Sequence, residues 1–320
     1  MRIMVLGGSG FIGRSTIRKL EQHEITIVHR GDSCSGEDRI RHIHCDSDDI
    51  LGHRTAFREW RPDVVLDLLS RNGLSAWRTI HAIAGLSTRV TMASSISVYR
   101  SFGVMIGSEV GAIDNSPMNE DAPLRQLLFP YRKPGSRPND DPKKWLDDYD
   151  KIPAEQAFLS QRDLAVNIVR LPMVYGPGDP DRRVESYVTR MLNGSEVLLQ
   201  QMASAWRNSR AYVENVAEAI VRVLHAGAPG RIYNIADDGD FTEADWIRRI
   251  GEEAGWDGDI RIVPDGAAAG RPAIDELPAM TNFAQHLRMD TSRIRAELGF
   301  VEHIQITEAL RSTILRMRRG

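Results

Sequence analysis

The chain has 320 residues, 42% of them hydrophobic and 27% charged, and 41 Lys+Arg against 44 Asp+Glu leave a formal charge of −3. That length suits about two domains, or one large domain with a smaller lobe, and a chain this size buries roughly 75% of its unfolded surface without staples. The near-neutral balance argues against a dedicated nucleic-acid binder, and no apolar run of about 18 residues is present to cross a membrane.

Cys34 and Cys45 make neither a disulfide framework nor a zinc spacing. Met1-Arg2-Ile3-Met4-Val5-Leu6 runs straight into a strand pattern and lacks the charged leader and long apolar stretch of a signal peptide. The expected class is therefore a soluble cytoplasmic protein, with no nucleic-acid or membrane partner.

Short apolar runs at 3–6, 25–28, 40–43, 64–69, 90–93 and 167–171 are leucine-rich or β-branched and nearly continuous, as buried parallel strands are. Between the first two, Ile12, Thr16, Ile17 and Leu20 mark one face of a helix over 11–22. This alternation predicts an α/β fold of the Rossmann type, a doubly wound parallel sheet. Beyond Arg170 the run Leu171-Pro172-Met173-Val174-Tyr175-Gly176-Pro177-Gly178-Asp179-Pro180 is dense in turn formers and leaves the sheet. A helix carrying Val216, Ile220 and Leu224 and a strand at 232–235 return to it, and helices are expected over 243–254 and 307–317. The expected division is a dinucleotide-binding domain of 1–172 with 212–236, and a smaller, discontinuous substrate lobe of 173–211 and 237–320. Residues 118–148 hold five prolines, many charges and almost no periodicity, and read as an insertion that either covers a site or is tolerated surface.

The first strand is followed by Gly7-Gly8-Ser9-Gly10-Phe11-Ile12-Gly13. Glycines at this spacing, after a strand and before a helix, allow a tight turn and the close approach of a pyrophosphate to backbone N–H groups. With this turn come Asp46, Ser94-Ser95-Ile96-Ser97-Val98-Tyr99, Lys151 with Glu155, Arg170-Leu171-Pro172 and Val174-Tyr175-Gly176-Pro177-Gly178-Asp179. Tyr212-Val213-Glu214-Asn215-Val216-Ala217, Asp290-Thr291-Ser292-Arg293 and Leu298-Gly299-Phe300 complete the set. Over almost its whole length the sequence resembles the extended short-chain dehydrogenase/reductase family, in its NAD-dependent epimerase/dehydratase branch.

The resemblance implies an NAD(P)-dependent oxidoreductase or epimerase/dehydratase acting on a hydroxyl or carbonyl of a small molecule, with a nucleotide sugar among the candidates. Gly7, Gly10, Phe11, Ile12 and Gly13 would hold the pyrophosphate, and Asp46 with Ser47 the adenine end. Leu68, Leu69, Ser70, Ser94 and Pro172 would line the cofactor, and Lys151 would bind its nicotinamide ribose. Relatives end the second strand with an acid that chelates the adenosine ribose; here that place is His29, followed by Arg30. A guanidinium suits a 2′-phosphate, so Arg30 favours NADP, with NAD as the alternative. His42 and His44 should point the same way from a strand, but no third ligand accompanies them and no metal is expected.

In relatives a Ser/Thr, a Tyr and a Lys perform the chemistry, the lysine lowering the phenol pKa from about 10. Ser95 and Lys151 fall on two of these positions, but the tyrosine position, four residues before the lysine, is Asp147. An aspartate beside Lys151 should stay ionised and is a poor acid at neutral pH. Tyr149 lies two residues before Lys151, and Pro153 favours a helix that starts there and leaves 149–152 extended. An extended segment presents residues i and i+2 together, so Tyr149 could replace the missing tyrosine. The opposing reading is a dinucleotide-binding sensor or scaffold without turnover, in which Tyr149 simply packs. Arg207, Arg210 and Arg271 are the candidates for a substrate phosphate, with Asn208 at the place of the relatives' arginine. The basic tail Arg316-Met317-Arg318-Arg319 is too short for a nucleic-acid footprint. Relatives usually pair through the helix following Lys151, which implies a homodimer.

Overall fold

The structure is a computed structural model and describes residues 1–31, 40–86, 89–132, 135–194, 196–267, 269–274 and 277–318. Its first half alternates β1 (Arg2–Leu6), α1 (Phe11–Arg18), β2 (Glu24–His29), β3 (Arg41–His44), α2 (Arg54–Trp60), β4 (Val64–Asp67), α3 (Gly73–Ile83), β5 (Arg89–Ser95), α4 (Arg100–Met105), α5 (Lys151–Leu159) and β6 (Ala165–Leu171). The second half adds β7 (Met173–Tyr175), α6 (Glu185–Leu192), β8 (Val197–Gln200), α7 (Gln201–Ala205), β9 (Arg210–Tyr212) and α8 (Val213–Ala226). It ends with β10 (Ile232–Asn234), α9 (Glu243–Ala254), β11 (Ile260–Val263), α10 (Ser292–Leu298) and α11 (Ile306–Met317).

Seven strands form one parallel sheet in the order β10-β6-β5-β4-β1-β2-β3. The chain winds one way through β1, β2 and β3 and the other way from β4 onward, so the order reverses between β1 and β4. Ligands of open α/β sheets bind outside the carboxyl ends of the strands at such a reversal. The doubly wound reading of the sequence is therefore the observed fold. Ile3, Val5, Ile25 and Ile27 face one layer, where α1 packs on α8, while Met4, Leu6, Val28 and Val65 face the other, where α3 packs on α5. Both faces are covered, which is why the strands read as continuous apolar runs. Two short parallel ribbons, β7 with β9 and β8 with β11, lie outside the main sheet.

Two expected boundaries move for local reasons. The strand expected over 64–69 stops at Asp67, whose carboxylate accepts from Leu69 N (2.8 Å) and Ser70 N (3.0 Å) and turns the chain. The helix expected from Pro153 starts at Lys151, because Asp150 caps it by accepting from Ile152 N at 3.0 Å. Proline fits as its third residue, since first-turn N–H groups have no partner within the helix.

Candidate active site

A cleft of about 460 Å3 opens at the carboxyl ends of β1, β4 and β5 and is lined on one side by Gly7, Gly10, Phe11, Ile12 and Gly13. The turn is built from backbone: Gly7 N donates to Val28 O (2.9 Å) and Gly10 N to Gly7 O (3.2 Å). Gly7 holds φ +86°, a left-handed conformation suited to glycine. At Gly13 a side chain is excluded outright, because a Cβ would lie 2.6 Å from both Gly7 O and Gly8 O. The N-cap of α1 is Gly10, with no side-chain acceptor, so the first-turn N–H groups keep their donor capacity and the helix dipole for an anion. A pyrophosphate fits that chemistry.

The opposite wall carries Ser94, Ser95, Trp145, Tyr149, Lys151 and Pro172. Lys151 Nζ donates to Ser70 O (2.6 Å), in the turn that follows β4, and to Ala93 O (2.7 Å), near the end of β5. Burial pulls its pKa down to about 8, against the opposing charges of Asp67 and Glu155. Tyr149 precedes the Asp150 cap in extended backbone, and its ring centre lies 6.0 Å from Lys151 Nζ. Its phenol faces the hydroxyls of Ser95 and Ser97, which pull its pKa down, but burial is the larger effect and raises it overall. Ser94 donates to Glu155, which also accepts from Arg170 Nε (2.9 Å) and Nη2 (2.7 Å). That buried contact ties α5 to β5 and β6.

Asp147 is not beside Lys151 but turned into the insertion. Its carboxylate accepts from Ser136 Oγ and Arg137 N (both 2.8 Å) and pairs with the Arg137 guanidinium and with Lys144 (3.3 Å). The Arg137 N–H foremost, then these side chains, hold it well below the usual carboxylate range, so it stays ionised for a reason other than the expected one. The insertion is stapled down at both ends. Met118 N donates to Arg288 O (2.7 Å), and Arg125 reaches Ser97 O, Leu127 O and the Asp150 carboxylate (2.9 Å). Both members of the Arg125–Asp150 pair are 0% exposed. Near its far end the insertion places Trp145 in the cleft, 5.8 Å from the Tyr149 ring.

With this geometry in view, the NAD dependent epimerase/dehydratase family model matches residues 3–132 and 149–236. The chain belongs to that family. The match skips 133–148, the stretch that carries Asp147 and Trp145. A dTDP-glucose 4,6-dehydratase of Streptomyces niveus is 23% identical over 98% of this chain and 92% of its own. UDP-glucuronic acid decarboxylase 6 of Arabidopsis thaliana is 24% identical over 90% of this chain and 85% of its own. The solved dTDP-glucose 4,6-dehydratase of Bacillus anthracis, in complex with NAD, superposes with a TM-score of 0.73 at 18% identity, covering 100% of this chain and 97% of that one.

The remaining expected residues are spread around this cleft. Leu68 lines it, but Leu69 lies against Gly7 and Ser70 is buried beneath it with its carbonyl on Lys151. Just beyond β2 and β3, where the adenosine end was expected, Arg30 is mostly exposed and stands 3.7 Å from the Asp46 carboxylate, which also accepts from Ser47 Oγ (3.4 Å) and Asp48 N (3.0 Å). His29 is buried, with Nε2 3.0 Å from His42 Nδ1, and His42 and His44 do share a face, their rings 6.5 Å apart. Cys45 is a buried thiol pushed up to about 11 by burial, and Cys34 lies outside the described residues.

None of Arg207, Arg210 and Arg271 lines the cleft. Arg207 pairs with Asp240, Arg210 is buried against Glu243 and Trp246, and Arg271 donates to the Pro278 carbonyl. Arg210 instead lines a second cavity of about 310 Å3 with Tyr175, Asp237 and Trp246. The cleft's own arginines are Arg71 and Arg183, which the sequence reading passed over. Arg183 is paired with Asp179 and Asp181, whereas no carboxylate among the described residues lies at ion-pair distance from Arg71, whose guanidinium stands 5.9 Å from the centre of the Trp145 ring. Arg71 directly follows the stretch 68–70 expected to line the cofactor, which is the one signal that pointed to it.

Proposed function

We propose that the protein is an NAD(P)-dependent enzyme that oxidises or reduces a carbon–oxygen centre of a sugar, in the manner of an epimerase or dehydratase, with Tyr149 as its acid. The observation that carries this reading is the Tyr149 phenol facing Ser95 beside Lys151, on the wall opposite the glycine turn. A bound nicotinamide dinucleotide would supply the two-electron redox chemistry. Backbone N–H groups of 11–13 would hold its pyrophosphate, and Lys151, with two of its three protons on carbonyls, has the third for a ribose hydroxyl. Ser95 orients the reacting oxygen, and Tyr149 gives it a proton or takes one from it. Because burial keeps this phenol above its ordinary pKa, it rests protonated, ready to donate to a carbonyl oxygen being reduced.

The relatives' names support a nucleotide sugar as substrate, and the cleft's unpaired cation for its phosphates is Arg71. For the cofactor we favour NADP, supported by the exposed Arg30 and the absence of an acid at the end of β2, with NAD as the alternative. We also favour a homodimer formed through α3 and α5, supported by the exposed Leu74 (58%), Trp77 (47%) and Leu159 (39%).

Mass analysis of nucleotide released from freshly purified, denatured protein identifies the dinucleotide. A protein that carries none and binds neither NAD nor NADP when they are added ends this reading. With a panel of dTDP- and UDP-sugars as substrates, Tyr149→Phe is expected to lower turnover by about 10²–10⁴-fold while folding and dinucleotide affinity hold. Unchanged turnover removes Tyr149 from the chemistry, and no turnover by the wild type on any carbonyl or hydroxyl sugar favours a dinucleotide-binding sensor, the reading that Asp147 supports.

A further inference from the structure

Asp67 closes the apolar strand β4, and its side chain is 0% exposed. Its Oδ1 accepts from Leu69 N and Ser70 N, while its Oδ2 is buried with no hydrogen-bond partner. The buried arginines Arg125 and Arg170 pair elsewhere, with Asp150 and Glu155, and among the described residues Asp67 keeps only backbone N–H donors, so the carboxylate lacks the direct partner that a buried charge ordinarily needs. The same turn provides a cation one hydrogen bond further on, because the carbonyl of Ser70, whose N–H is held by Asp67, accepts from Lys151 Nζ at 2.6 Å.

The other charges facing Lys151 do not replace Asp67. Glu155, four residues along α5, is neutralised by the bidentate Arg170, and Arg71 from the β4–α3 connection opposes the ammonium. Tyr149 contributes a neutral phenol. Of the two acids that act on Lys151 among the described residues, Asp67 and Glu155, only Asp67 is thus without a direct counter-ion.

We infer that Asp67 is the positioning residue for Lys151: across the Ser70 turn, its buried carboxylate keeps the Lys151 ammonium charged and aimed into the cleft. It acts through the turn and the field, without touching substrate or cofactor. The inference deepens the proposed role of Lys151, yet its test needs no substrate, so it fails or stands separately from the enzymatic reading.

The chain holds only five lysines, Lys19, Lys133, Lys143, Lys144 and Lys151. Labelling them with 13C at Cε therefore gives a spectrum in which the Lys151 signal is the one that Lys151→Arg removes. In the full-length wild type that signal is expected to titrate near pH 8. Asp67→Asn keeps an oxygen for Leu69 N and Ser70 N but removes the charge, and is expected to move the Lys151 midpoint down by about one unit, a tenfold change in acidity, leaving the other four in place. An unmoved Lys151 midpoint in a folded Asp67→Asn protein overturns the inference. Should Asp67→Asn fail to fold, adding Lys151→Met is expected to restore folding, since an uncompensated buried ammonium is then the fault; a double variant that stays unfolded overturns the inference as well.

Discussion

The glycine turn after β1 and the insertion ahead of α5 face each other across one cleft, and they are held in place by different physics. The turn is backbone against backbone: Gly7 N on Val28 O, Gly10 N on Gly7 O, and a Gly13 that admits no side chain. Past its backbone bond from Met118 to Arg288, the insertion is held by charge, through the fully buried Arg125–Asp150 pair 25 residues apart and the Arg137–Asp147 pair 10 residues apart. A backbone turn tolerates almost no change of residue at its tight positions. A charged staple tolerates many lengths and sequences between its ends, as long as both ends remain. Within this family's match the turn is covered and 133–148 is skipped, which is the same contrast seen from the sequence side.

Arg125→Met should break the second wall and spare the first. Removing one member of a buried pair leaves Asp150 uncompensated, and about 3–5 kcal/mol of stability should be lost, as read by denaturant unfolding. A loss below about 1 kcal/mol would mean that water already screens the pair and the staple is not electrostatic. Gly13→Ala is expected to cost about 1–3 kcal/mol through overpacking against the Gly7 and Gly8 carbonyls, and to abolish dinucleotide binding in calorimetry. Binding that survives Gly13→Ala would show that the turn is less rigid than its contacts suggest. The smallest effect should come from Asp147→Asn, which loosens the Ser136, Arg137 and Lys144 contacts. Limited proteolysis between 125 and 150 should quicken, with dinucleotide affinity unchanged; a fall in affinity would show that the two walls are coupled.

Tyr149 shows how far local reasoning reaches. Proline's preference for a helix start and the two-residue period of extended chain led to the expectation that 149–152 is extended and presents Tyr149 and Lys151 together; both do line the cleft, but not on one extended segment. The helix nevertheless begins at Lys151, because Asp150 is a better cap than a proline is a barrier. What holds Asp150 in that role comes from Arg125 and from Phe129 N, contacts that no spacing rule announces. The arginines Arg207, Arg210 and Arg271 show the converse: a positive residue near a motif was visible, but its partner was not, and Asp240, Glu243 and the Pro278 carbonyl engage them away from the cleft.

By itself the sequence determined the doubly wound parallel sheet and the glycine turn, because continuous apolar strands and glycine spacing are conditions satisfied within a few neighbouring residues. Tertiary structure decided which charges are free and which are paired. It turned Asp147 away from Lys151, left Arg71 as the unpaired arginine of the cleft, and set Asp67 behind the lysine, since the energy of a buried charge depends on partners brought near by the fold from anywhere in the chain.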